Sequence, residues 1–320
     1  MLASPPSNSS LLQRVFVRDG KLHPAWRVAL YLLVGFVGSF FVQFAVTLLY
    51  VLAAMVAGGD LGQISAELAS SNIPQWLLVV LEILGLGWVL LVTWAFRRWL
   101  DKAPLRDLGF APARLGRETL WGLGLGLASM LLILAAHLAL GWADTHLNAS
   151  GLSITGTLGV TALVLVPAAA IEEIIFRGYF LQTLENWPGW RPAAIISSLF
   201  FGLAHIFNPA FGFLPFVNIV LAGLLFALLY RLTRRLWLPI AYHFMWNFAQ
   251  GPLFGFPVSG LGFGTILKTE VHGPAVWTGG AFGPEGGLIV TGVLALLIVA
   301  LGAWDKRQQK PMADSRRAGD

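Results

Sequence analysis

The sequence predicts an all-α, polytopic membrane protein with about eight transmembrane helices. Three observations predict it. The composition is 57% hydrophobic and only 12% charged over 320 residues, with a mean hydropathy of +0.73. Apolar stretches close to the roughly 20 residues that a spanning helix needs recur along the whole chain. Basic residues gather in alternate connections between them, as expected when short Lys- and Arg-rich loops stay on the cytoplasmic side.

The elements follow in order. Residues 1 to 24 form a cytoplasmic tail: MLASPPSNSS is polar, and Arg14, Arg18 and Lys21 follow it. The apolar run that comes next is too long for the h-region of a cleavable signal, so the first span itself targets the chain. That span, near 25 to 57, is long enough to tilt or kink. The connection 58 to 74 carries only Asp60 and Glu67 and falls outside. The second span lies near 75 to 98. Arg97, Arg98, Lys102, Arg106, Arg114 and Arg117 then mark a cytoplasmic loop, in which LRDLGF begins an interfacial segment. The third span, near 117 to 142, is followed by an outer connection with Asp144 and His146. The fourth lies near 158 to 184, the fifth near 191 to 208, the sixth near 213 to 230 and the seventh near 236 to 251. Arg191 marks one inner turn, and Arg231, Arg234 and Arg235 mark another. The fifth and seventh are short for full spans. Residues 251 to 285, GPLFGFPVSGLGFG and later TGGAFGPEGG, make a Gly- and Pro-rich loop, long for a connection with no helix of its own, and suited to covering or gating a site. The eighth span, near 286 to 304, leads into a basic cytoplasmic tail, 305 to 320. Both termini therefore lie inside. There is no internal repeat and no separate soluble domain, so 25 to 304 is one membrane domain.

The formal net charge of +5 does not indicate nucleic acid, because the basic residues sit beside membrane segments and are not interleaved with exposed aromatics. Membrane lipids with anionic headgroups are the expected partners. Cysteine is absent, which excludes thiol nucleophiles, thiolate metal sites and disulfides.

The fourth span contains AAAIEEIIFRG, with Glu172, Glu173 and Arg177 in the middle of apolar sequence. A charged residue at the centre of a membrane helix costs about 2.5 to 3.5 kcal/mol on insertion scales, so three cost roughly 8 kcal/mol before pairing. Glu173 and Arg177 stand four apart on one helical face and can neutralise each other. Glu172 is rotated from Glu173 by about 100° and needs a different partner. A buried polar cluster that merely holds helices together would explain Glu173 and Arg177 but leaves Glu172 over.

Partners exist in the fifth and seventh spans: His205 in LFFGLAHIFNP, and His243 with Asn247 in YHFMWNF. Counted at about 1.5 Å per residue from the inner end of each span, Glu172 lies about 18 Å deep, His205 about 20 Å, His243 about 11 Å and Asn247 about 17 Å. They can share one layer. A lone membrane histidine is an ordinary interhelical hydrogen-bonder; two, with an asparagine and a spare carboxylate at similar depth, suggest a site. Glu82 and His137 would belong to a proton-coupled carrier, but no pair of broken helices in two halves supports one, and Glu82, near the outer end of its span, reads as a local polar contact. Gly35 and Gly38, and Gly122, Gly124 and Gly126, read as helix-contact positions.

The chain resembles the CPBP intramembrane proteases, the CAAX-protease and bacteriocin-processing group that includes Rce1-type prenyl-protein endopeptidases. The family's EExxxR stands at Glu172, Glu173 and Arg177, its FxxxH at Phe201 and His205, and its HxxxN at His243 and Asn247, in family order and spacing. The resemblance covers roughly 160 to 250 and implies a catalytic core at about 158 to 251. It implies an intramembrane endopeptidase in which Glu172 is the general base, His205 shares or orients the attacking water, and His243 and Asn247 stabilise the oxyanion, with Glu173 and Arg177 in support. Phe201 is read as packing. No cofactor is expected; the alternative is zinc held by Glu172, His205 and His243, a two-histidine, one-carboxylate set with a fourth position for water. A non-proteolytic carrier or scaffold with a buried Glu/His site is the other alternative. The expected substrate is a membrane-associated or lipidated peptide or protein, and the expected location a bacterial inner membrane.

Overall fold

Each of these apolar stretches is helical in the computed structural model, which describes residues 15–18, 20–69, 73–148 and 154–317. In chain order the helices are α1 (Pro24–Val56), α2 (Leu61–Ala69), α3 (Gln75–Phe96), α4 (Leu115–Ala139), α5 (Ile154–Glu173), α6 (Leu181–Glu185), α7 (Trp190–Ala204), α8 (Phe213–Thr233), α9 (Trp237–Phe248), α10 (Ala275–Thr278) and α11 (Leu288–Arg317). Among the described residues, 6 helices are long and apolar enough to cross a membrane: α1, α3, α4, α5 continued through α6, α8 and α11. The helices α7, with 15 residues, and α9, with 12, are too short to do so alone, as their sequence lengths predict. The all-α class holds. Two small antiparallel ladders add to it, β1 (Val17–Arg18) with β2 (Lys21–Leu22), and β3 (Ala143–Leu147) with β4 (Leu267–Val271).

The helix α1 begins at Pro24, whose missing N–H costs nothing in a first turn, and His23 Nδ1 accepts from the Ala25 amide at 3.3 Å. Its 33 residues run about 50 Å. That exceeds a hydrocarbon core of about 30 Å, and the helix is one unbroken element. Its face bearing Leu33, Phe40, Phe41 and Leu49 is exposed, as suits contact with lipid.

Small residues decide how closely the helices pack. The Trp88 indole lies where a Cβ on Gly38 would stand, at 2.0 Å, and its Nε1 donates to Gly35 O at 3.1 Å. This joins α1 to α3. A Cβ on Gly122 would lie 2.7 Å from Leu238 O, and one on Gly126 2.8 Å from Tyr242 O. The helix α4 therefore presses directly on the backbone of α9, and Tyr242 Oη donates to Ser129 Oγ at 3.0 Å between them. Gly124 points into open space and takes no part. Gly202 and Gly223 bring α7 against α8 in the same way.

The ends that carry the basic connections gather on one face, clipped by ion pairs: Arg235 to Glu118 at 2.7 Å, Arg231 to Asp305 at 2.8 Å, Arg234 to Glu185 at 3.0 Å, and Arg27 and Arg97 to Asp101. The segregation of charge seen in the sequence is thus a segregation in space. The β3–β4 ladder lies at the other end of α4.

The loop between α9 and α11 differs from the expectation of a connection without structure. It contains β4, α10 and two 3₁₀ turns, Gly280–Phe282 and Pro284–Gly286. Its glycines serve compactness. Gly279 and Gly283 have φ of +90° and +92°, and a Cβ on them would stand 1.8 Å from Gly283 O and 2.1 Å from Pro257 O. No other residue fits such turns cheaply.

Candidate active site

The site starts where α5 ends. After Glu173 the helix widens into a π segment, Ile174–Phe180, a local geometry that recurs at functional sites. This segment carries Arg177, whose side chain is 1% exposed. Arg177 Nη1 donates to Glu173 Oε1 at 3.0 Å and Nη2 to Gly223 O at 3.0 Å, and the guanidinium lies 4.2 Å from the Phe201 ring centroid and 4.9 Å from that of Phe226. The i, i+4 pair read from the sequence is present. Phe201 packs, and also supplies an aromatic face to the buried cation.

Glu173 does more than pair with Arg177. Its Oε1 also meets His243 Nδ1 at 3.0 Å, a contact between α5 and α9 that spacing within one helix could not reveal. A carboxylate that accepts from Arg177 can only accept from His243 too, so His243 Nδ1 carries a hydrogen. His205 Nδ1 stands 2.8 Å from Phe201 O; a carbonyl accepts, so this nitrogen is also a donor. Both imidazoles are therefore oriented by their Nδ1–H, and both aim Nε2 the same way.

They aim at Glu172. Its Oε2 lies 3.9 Å from His205 Nε2 and 3.8 Å from His243 Nε2, and this oxygen is buried without a hydrogen-bond partner. The Glu172 side chain is 31% exposed against 0% for Glu173, because it faces a cavity of about 640 Å³ that both histidines and Asn247 also line. The two neighbouring carboxylates thus differ in kind. Glu173 is sealed, with Oε1 held by both Arg177 and His243 and Oε2 unpartnered, and Glu172 is half-buried, with no hydrogen bond at Oε2 and one edge open to the cavity. The four site residues read from the sequence converge on one cavity, with Asn247 one turn beyond His243 on α9.

Zinc bound at about 2.0 to 2.1 Å in a tetrahedron sets neighbouring ligand atoms about 3.3 Å apart, closer than these pairs. Among the described residues no group of three His, Asp or Glu side chains is placed to hold a metal ion.

Two features were not anticipated. Glu82, read above as a local polar contact, lines the same cavity as Glu172. Depth along one helix does not show which cavity a side chain lines, so its position near the outer end of the span did not reveal this. Glu285, in the Gly-rich loop, roofs the cavity: its Oε2 accepts from Ser259 N and Oγ, both at 2.7 Å, and its Oε1 from Trp246 Nε1 at 3.1 Å. Asn218 Nδ2 donates to the Glu285 carbonyl at 2.7 Å. No periodicity marks a loop carboxylate that folds back on two helices. His137, by contrast, is fully buried with Nδ1 on Ile133 O and does not line the cavity.

Comparison with known proteins bears on the family resemblance. Residues 154–249 match a family model described as Type II CAAX prenyl endopeptidase Rce1-like. The "Putative membrane peptidase YdiL" of Bacillus subtilis (strain 168) is 35% identical over 77 residues, which are 24% of this chain and 30% of that protein. The match thus spans under a third of the relative's length. No solved structure matches the chain. The resemblance drawn from the three motifs is borne out, and the matched segment contains α5 through α9, which carry all of them.

Proposed function

We propose that this protein is an intramembrane endopeptidase that hydrolyses a peptide bond of a membrane-associated or lipidated peptide or protein with a water activated by Glu172. One observation carries the reading: Glu172 Oε2, buried and unpartnered, faces the Nε2 atoms of two oriented histidines at 3.8 and 3.9 Å. These separations exceed direct hydrogen bonding and are about what one bridging water spans.

In this mechanism Glu172 takes a proton from the water while His205 Nε2 accepts its other hydrogen and fixes its direction. The hydroxide oxygen adds to the scissile carbonyl carbon. His243 donates from Nε2 and Asn247 from its amide to the oxyanion that forms, a preorganised pair of donors. Donation from both His243 nitrogens makes it an imidazolium, whose charge the Glu173 carboxylate balances 3.0 Å away. Glu172 and Glu173 then offset Arg177 and His243, so the cluster is neutral when it acts. Collapse of the tetrahedral intermediate breaks the C–N bond, the proton held by Glu172 passes to the leaving nitrogen, and a carboxylic acid and an amine result.

The test is cleavage of a library of hydrophobic and lipidated peptides by the full-length protein in lipid nanodiscs. Glu172→Gln, which keeps shape and loses the base, is expected to lower kcat by about 10² to 10⁴. We propose that the reaction uses no metal, so 1,10-phenanthroline leaves the rate unchanged; loss of activity restored by zinc would overturn that part. We further propose that the basic face is cytoplasmic, from the charge bias of the loops, and that the membrane is a bacterial inner membrane; the relative, named as a membrane peptidase of a bacterium, supports the membrane location alone.

A further inference from the structure

A second cavity, of about 420 Å³, opens on the basic face, far from Glu172, where the start of α1 meets the end of α3. Its walls include Arg18, Lys21, Arg27, Arg97 and Asp101. Four cationic side chains thus surround one carboxylate, and Asp101, 5% exposed, already receives both Arg27 and Arg97. Each guanidinium offers five N–H donors. The Nε groups of Arg27 and Arg97 are buried with no hydrogen-bond partner, a cost that a native site normally relieves. Two further features favour an anion there. The β1–β2 ladder sets Arg18 directly opposite Lys21, which brings their charges to the same rim. The first turn of α1 supplies the positive end of a 33-residue helix.

The surroundings indicate the anion's source. Trp26, Trp94, Trp99 and Trp187 are exposed near the same helix ends, at 43%, 44%, 66% and 44%. Exposed tryptophans at the ends of spanning helices mark the headgroup level of a bilayer, and basic pockets between such helices hold anionic headgroups. We infer that this cavity binds a phosphate-bearing anion, presented by an anionic lipid headgroup, with Arg27 and Arg97 contacting the phosphate and Arg18 and Lys21 closing over it.

The experiment uses full-length protein stripped of lipid in a neutral detergent. Short-chain phosphatidylglycerol, short-chain phosphatidylcholine and inorganic phosphate are titrated separately, and the unfolding temperature and the bound mass by native mass spectrometry are read. Phosphatidylglycerol should raise the unfolding temperature and bind at least tenfold more tightly than phosphatidylcholine. The double change Arg18→Gln, Lys21→Gln, confined to exposed side chains, should weaken it at least tenfold with the lipid-free unfolding temperature unchanged. Arg97→Lys, which keeps the charge and loses the planar fork, should weaken it less than Arg97→Gln. Inorganic phosphate acting as strongly as phosphatidylglycerol would overturn the lipid source and assign the site to a soluble anion. No response to either anion, equal responses to both lipids, or full retention in the double variant would overturn the site.

Discussion

At the scale of the residue, the molecule separates two adjacent carboxylates by what surrounds them. Replacing Glu173 leaves the buried Arg177 without its counter-charge and His243 without its orienting acceptor. Loss of one partner of a buried ion pair costs about 3 to 5 kcal/mol, so Glu173→Gln should lower the unfolding temperature sharply, whereas Glu172→Gln should leave it nearly unchanged while lowering kcat as proposed above. Adding Arg177→Met to Glu173→Gln should recover part of the lost stability, since the unpaired charge is then gone; thermal unfolding of the three variants checks this. Much of this contrast is legible in the sequence. The i, i+4 spacing pairs Glu173 with Arg177 and leaves Glu172 over, and counted depth brings the histidines near it. The hydrogen bond from His243 to Glu173 is not legible, because it joins two helices whose relative rotation no single-helix period specifies. The place of Glu82 in the cavity wall is not legible for the same reason, since its position near the outer end of one span does not say which cavity its side chain lines.

At the scale of the element, close approach at glycine sets the position of α9, and with it of His243 and Asn247. Gly126→Val should cost about 1 to 3 kcal/mol through overpacking and reduce cleavage by displacing α9. Gly124→Val, at a position where a Cβ would meet nothing within 4 Å, should stay within about 0.5 kcal/mol of the parent. The pair is read by unfolding temperature and by kcat. The roof offers a third comparison. Glu285→Gln keeps the size of the side chain but turns one acceptor oxygen into a donor against Ser259 or Trp246, so KM should rise more than kcat falls. The helices themselves were readable because about 20 apolar residues have few alternatives to a span. The folded loop was not, because glycine at positive φ and glycine in open coil look alike until the backbone that crowds it is known.

At the scale of the whole molecule, the ion pairs that clip the basic ends together make orientation an all-or-none property, and the lack of cysteine makes it simple to measure. Arg106 and Lys268 are highly exposed, at 82% and 67%, and sit on opposite faces. In intact cells a membrane-impermeant maleimide should label Lys268→Cys at once and Arg106→Cys only after permeabilisation; the reverse pattern would invert the topology. The alternation of charge among the loops was enough to predict which ends share a face, whereas the β3–β4 ladder was invisible, since its strands are short, polar and remote in sequence. That ladder has a kinetic consequence. By pairing Ala143–Leu147 with Leu267–Val271, it ties a knotless ring around the stretch of chain that holds every motif. The entropy of closing a ring grows with its length, and contacts this distant form slowly. The clasp should therefore be the final event of assembly, shut only once the helices that carry the motifs are in place, so the time at which its amides become protected from hydrogen exchange marks the moment the Glu172 cavity is complete.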